Sequence, residues 1–136
     1  MSMSETRSRY TPVTLSLLRI IAALIMLEHG MQKMFGYPPI IIAVPHSILS
    51  EIASWIEVIG GVLLILGLFS RSIAFIFAGE MAIAYFLRHS PRGIFPVNNG
   101  GDLAVILCFT FLFLATAEPG VFSLDALRQR QTRPST

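Results

Sequence analysis

The sequence predicts an all-α fold, a four-helix transmembrane bundle with both termini on the cytoplasmic side, and three observations carry that expectation. Hydrophobic residues make up 54% of the 136 and charged residues only 13%, against about 25% charged in an ordinary soluble domain; the mean hydropathy is +0.69. Long apolar runs alternate with Gly, Pro and Asn breaks. The cationic residues are scattered between those runs rather than gathered in one stripe.

Residues 1–10 are polar and read as a disordered tail. Thr11 offers a side-chain oxygen as helix cap and Pro12 fits the first helical position, so a first helix is expected over about 12–34. At 1.5 Å per residue it would reach ~33 Å, enough to cross a hydrocarbon core. Although Arg7 and Arg9 precede this apolar segment, it shows no small-x-small cleavage site, which predicts a retained helix rather than a signal peptide. Gly36-Tyr37-Pro38-Pro39 stops it, because two prolines remove backbone donors. Ile40-Ile41-Ile42-Ala43-Val44-Pro45 is apolar but too short to span and reads as an interfacial or re-entrant segment.

A second helix is expected over about 48–70 and a third over 72–88, with Ser70-Arg71-Ser72 as the connection of an antiparallel hairpin. Ser90-Pro91-Arg92-Gly93 breaks the third, and Asn98-Asn99-Gly100-Gly101 is turn material before a fourth over 102–118. The last two are short for spanning. The membrane domain thus runs over 11–120, followed by a surface segment and tail over 121–136 with Ser123 placed to cap a short helix.

With both ends inside, Arg7, Arg9, Arg71, Arg128, Arg130 and Arg133 are cytoplasmic and Lys33, Arg88 and Arg92 are outside, as the positive-inside rule prefers. The formal net charge of +2 lacks the basic stripe with interleaved aromatics that nucleic acid requires, so no nucleic-acid partner is expected. The single Cys108 excludes an internal disulfide, a Cys-x-x-Cys pair and a thiolate metal cage. It reads as a small packing residue.

Glu57 lies in the apolar, glycine-punctuated run Glu57–Arg71. An ionisable group inside a span costs roughly 2.5 to 3.5 kcal/mol on insertion scales and usually faces a partner helix or a watery cavity, so Glu57 needs a partner. At about 100° per residue, Arg19, Met26, Gly30 and Lys33 share one stripe of the first helix, with His29 at its edge. Ser50, Ser54, Glu57 and Gly61 share a small-residue stripe on the second, a surface that lets helices approach closely. Glu80 and Ala84 stack on the third.

The candidate polar cluster is Arg19, His29, Lys33, Glu57, Glu80, His89 and Asp102. Its plainer reading is register-fixing pairs, Glu57 or Glu80 with Arg19 or Lys33. Metal binding would need three or four convergent ligands, and none is assigned. Phe109, Phe111 and Phe113 read as lipid contact and packing, Trp55 and Tyr37 as interfacial residues. No phosphate loop, nucleophile elbow or dinucleotide fingerprint is present.

The order and spacing of four blocks resemble the DoxX family of small bacterial membrane proteins. They are His29-Gly30 with Lys33 and Phe35-Gly36; Glu57-x-x-Gly60-Gly61 leading to Leu66-Gly67-Leu68 and Arg71; Gly101-Asp102-Leu103-Ala104; and Pro119-Gly120-x-Phe122-Ser123-Leu124-Asp125, where the family often has tryptophan at the position of Phe122. The likeness runs from about Leu17 to Asp125. It implies a four-helix protein of the bacterial inner (plasma) membrane. Some relatives are linked to redox chemistry, one branch resembling a subunit of thiosulfate:quinone oxidoreductase, another accompanying thiol and superoxide defence proteins, others quinone or catechol detoxification. The family supplies no catalytic set to carry over.

The expected function is an accessory subunit of a membrane redox or quinone-linked system. Glu57 and Glu80 would handle protons and Arg19 or Lys33 would hold an anionic or carbonyl group. A quinone is the cofactor to test for, although no motif for one exists. The lipid bilayer, a redox protein and a second copy of the chain are the partners to test for. The rival class is a non-catalytic scaffold or assembly factor. A small-molecule transporter is a third, weakened by the lack of an inverted repeat.

Overall fold

The structure, a computed structural model, describes residues 3–39 and 47–132, and these are helical with no strand. The apolar segment Ile40–Pro45, expected to be interfacial or re-entrant, lies outside the described residues. Three stretches are long and apolar enough to cross a membrane: Tyr10–Phe35, Ile48–Leu66 and Ser70–Arg92. A fourth apolar helix, Asp102–Thr116, is shorter.

Helix α1 spans Met3–Phe35 with Pro12 inside it. The expected helix start at Thr11 is therefore corrected, as is the disordered tail from Met3 on, since the chain is already helical there. Proline removes one backbone donor but fixes a helical φ, so it need not end a helix that has turns on its N-terminal side. Helix α2 spans Ile48–Leu66, where Ser47 accepts from Ser50 N at its start and Gly67 adopts the left-handed conformation at its end. Leu68 N and Gly67 N then bond back to Leu63 O and Leu64 O, the reciprocal closure that left-handed glycine allows.

The expected second helix over 48–70 is thus shortened, and the connection is Gly67-Leu68-Phe69 rather than Ser70-Arg71-Ser72. Helix α3 begins at Ser70 and runs to Ala84. It continues as a π-helical turn, Tyr85–His89, and a 3-10 turn, Ser90–Arg92, so this span is longer than the expected 72–88. A short α4, Pro96–Asn99, precedes α5, Asp102–Thr116, which stops two residues before the expected 118. Helix α6, Leu124–Thr132, is capped by Ser123, whose Oγ accepts from Ala126 N.

The chain divides into two compact units, Met1–Ser70 with Glu118–Thr136, and Arg71–Ala117. In the first, α1 and α2 approach at glycine. A Cβ on Gly30 would stand 2.8 Å from Glu57 Cβ, and one on Gly61 2.9 Å from Leu27 Cβ. Small residues let apolar helices touch through backbone where lipid gives no hydrophobic drive between them. In the second unit Phe77 packs edge-on against Phe111 at 5.1 Å between ring centroids, while Phe109 and Phe113 stay exposed.

The first unit is closed by its C-terminal segment. Asp125 accepts from Phe69 N (3.1 Å) and Ser70 N (2.8 Å), capping α3, and its own N–H donates to Gly67 O (2.9 Å). Replacing Asp125 by alanine is expected to lower stability by about 1–2 kcal/mol, the usual range for a lost helix cap. Asparagine, which retains one acceptor oxygen, should lower it less. Thermal midpoints in detergent, read by size-exclusion chromatography, check the order.

Candidate functional site

Two polar centres form within the first unit. The first joins the middle of α2 to the C-terminal part of α1. Glu57 is 1% exposed, and Lys33 Nζ lies 2.6 Å from its Oε1, with the lysine side chain keeping 24% exposure. Helical phase produces the meeting: Met26 and Gly30 are buried along the Lys33 face of α1, and Ser54, Gly61 and Leu64 along the Glu57 face of α2. Glu57 Oε2 is buried without a hydrogen-bond partner. The carboxylate therefore has one oxygen held by a cation and one left to accept.

The second centre lies toward the other end of the same two helices. Arg19 is 1% exposed and its Nη2 donates to the Phe122 carbonyl. Phe122 N donates to Ser16 Oγ (3.1 Å), which itself donates to Pro12 O (2.9 Å). A Cβ on Gly67 would fall 1.8 Å from Arg19 Nη1 and 2.3 Å from Ser123 Cβ; one on Gly120 would fall 2.3 Å from Ser16 Oγ. The guanidinium is thus walled in by backbone that only glycine permits.

The other sequence candidates stand elsewhere. His29 is exposed on α1, its Nδ1 donating to Ile25 O one turn back (2.7 Å). Glu80 on α3, His89 and Asp102 belong to the second unit; Asp102 is exposed in the first turn of α5. Among the described residues, no group of three His, Cys, Asp or Glu gathers to hold a metal.

His89 enters a network that sequence reasoning missed. Its ring stacks on Tyr85 and its Nδ1 donates to Asn99 O (3.2 Å). Asn99 is buried, donates through Nδ2 to Gly93 O (2.6 Å), and accepts from Gly101 N (2.8 Å). Tyr85 Oη donates to Ile94 O. The Asn98–Gly101 cluster signalled a turn, but a turn signal does not say which amide will be buried. Ser16 was missed too, because a serine facing a helix interior looks like any other small residue until its partner strand of chain is placed.

A family model described as DoxX matches residues 14–90. The match takes in the His29-Gly30 and Glu57-x-x-Gly60-Gly61 blocks and ends before the two later blocks through which the resemblance extends to Asp125. An uncharacterized protein of Haemophilus influenzae is 40% identical over 123 residues, covering 86% of this chain and 92% of its own. No solved structure matches.

Proposed function

Because the chain belongs to the DoxX family, we propose that this membrane protein is an accessory subunit of a redox or quinone-linked system in the bacterial inner membrane. Its α1, α2, α3 with its π and 3-10 continuation, and α5 would be four spans with both termini cytoplasmic. Chain continuity supports the fourth span. Gly120–Asp125 docks on Ser16, Arg19 and the Gly67–Ser70 turn, so the chain leaves that side at Ser70 and is back there by Gly120. If Ser70–Arg92 crosses, 93–117 must return. At 15 residues, α5 would reach ~22 Å, a deficit that local thinning or flanking residues can absorb.

The observation that carries the functional reading is the buried Lys33–Glu57 pair with Glu57 Oε2 unengaged. A quinone carbonyl would take a proton or a hydrogen bond from the lysine ammonium, and a quinol hydroxyl would donate to the free carboxylate oxygen. Such a pair in an apolar setting is a proton donor and acceptor held together. Purification from native membranes in gentle detergent, with mass spectrometry of lipids and co-purifying proteins, tests it. Wild type should retain a quinone or a redox protein in fixed proportion, and Glu57→Gln should lose it while eluting as a folded species. Equal retention by both, or by neither, would sink the reading.

A non-catalytic scaffold is the second reading, favoured by the Arg19 centre, whose bonds all tie one part of the chain to another. On that reading, substitutions at Arg19 lower the amount of protein in the membrane before they alter any partner's activity.

A further inference from the structure

We propose that the second unit carries a binding site for one anionic phospholipid, in a groove between the first turns of α3 and the last turn of α5. The groove has a volume of about 510 Å³ and is lined by Arg71, Ser72, Phe75, Ile76, Leu112, Ala115 and Thr116. Its walls are apolar. Phe75 and Ile76 hold exposed side chains on a stretch long and apolar enough to cross a membrane, and Leu112 holds one on the shorter apolar α5, so an acyl chain is the matter that suits it.

The headgroup assignment comes from Arg71. The residue sits one position inside the end of the span Ser70–Arg92, the depth at which a headgroup phosphate meets the acyl region. Its Nε donates to Ala115 O (3.1 Å), a carbonyl in the last turn of α5. That bond ties Nε to the end of α5 and engages neither Nη. A tethered guanidinium with both Nη groups left over can take a phosphate bidentately, and Ser72 lines the same groove. An apolar trough with a fixed cation at one end is complementary to a diacyl lipid bearing net negative charge. A zwitterionic lipid would bring its own ammonium to the arginine and lose that advantage.

On the proposed topology this mouth opens to the cytoplasmic leaflet, where basic residues near the surface attract anionic lipid. The site does not depend on the redox reading, and its test shares no readout with it.

The test is native mass spectrometry of the full-length protein exchanged into detergent micelles doped with equal amounts of phosphatidylglycerol and phosphatidylcholine. Wild type should carry one phosphatidylglycerol in preference to phosphatidylcholine. Arg71→Gln should lower that occupancy about tenfold, the loss of charge-assisted hydrogen bonds. Ala115→Trp, which leaves the Ala115 backbone acceptor in place but fills the trough, should lower it while Arg71 is intact. Excess inorganic phosphate should not displace the lipid; displacement would mean that a free anion is the ligand and would overturn the assignment. Equal retention of both lipids by wild type, or unchanged retention in Arg71→Gln, would overturn it as well. Arg71 is exposed, so Arg71→Gln remains folded, which its elution profile checks.

Discussion

Replacing Gly67 by alanine is expected to undock the C-terminal segment and to be among the most destabilising single changes in the chain. Two effects add at this position. The backbone is left-handed, with φ of +69°, a conformation that costs an L side chain about 1–2 kcal/mol. The new Cβ would also stand 1.8 Å from Arg19 Nη1, 2.3 Å from Ser123 Cβ and 2.7 Å from Ser123 Cα. The arginine terminus can swing only by giving up the Phe122 carbonyl, and Ser123 Cα is main chain. Overpacking in a filled site adds roughly 1–3 kcal/mol, so a total of roughly 2–5 kcal/mol is expected.

Gly36→Ala separates the two effects. Gly36 is also left-handed, at φ +65°, but nothing stands within 4 Å of its added Cβ, so it should suffer the backbone cost alone. Trypsin reads the difference, because Arg128 and Arg130 lie on α6 beyond the docked segment. Gly67→Ala should be cut there much faster than wild type and Gly36→Ala hardly faster. Equal protection of Gly67→Ala and wild type would mean that the Arg19 centre does not hold the segment down.

These two centres were legible in the sequence to different depths. Helical period alone put Lys33, Gly30, Met26 and Arg19 on one face of α1 and Glu57 with Gly61 and Ser54 on one face of α2, because an acid and a base inside apolar helices leave few arrangements that spare their charges. It left open which cation meets Glu57. The structure gives Lys33, 2.6 Å from Glu57 Oε1, while Arg19 lies more than three turns away along α1 and takes the Phe122 carbonyl instead. The closing Pro119-Gly120-x-Phe122-Ser123-Leu124-Asp125 block was visible only as a family signature. Its role depends on contacts a hundred residues apart, such as Phe122 N to Ser16 Oγ, which no local rule encodes. Boundaries failed where tertiary bonds decide them. Asp125 draws the start of α3 back to Ser70 by capping it from a distant segment, and His29 leaves the cluster because its ring finds Ile25 O one turn back along α1.

Removing one partner of the Lys33–Glu57 pair and then both should distinguish a structural pair from a working one. Glu57→Ala leaves a lysine facing an apolar interior without its counter-charge. Breaking a buried pair costs about 3–5 kcal/mol, and the lower end applies here because Lys33 keeps 24% exposure. Lys33→Met strands a carboxylate that is 1% exposed, so it should be at least as harmful. The double variant Lys33→Met, Glu57→Leu removes both charges and retains a Cβ against Gly30, so its thermal midpoint in detergent should return most of the way to wild type. Function then decides the matter. If the pair only locks α1 to α2, the double variant restores quinone or partner retention along with stability. If the pair transfers protons, stability returns and retention does not, because no pairing of methionine with leucine offers a donor to a carbonyl or an acceptor to a hydroxyl.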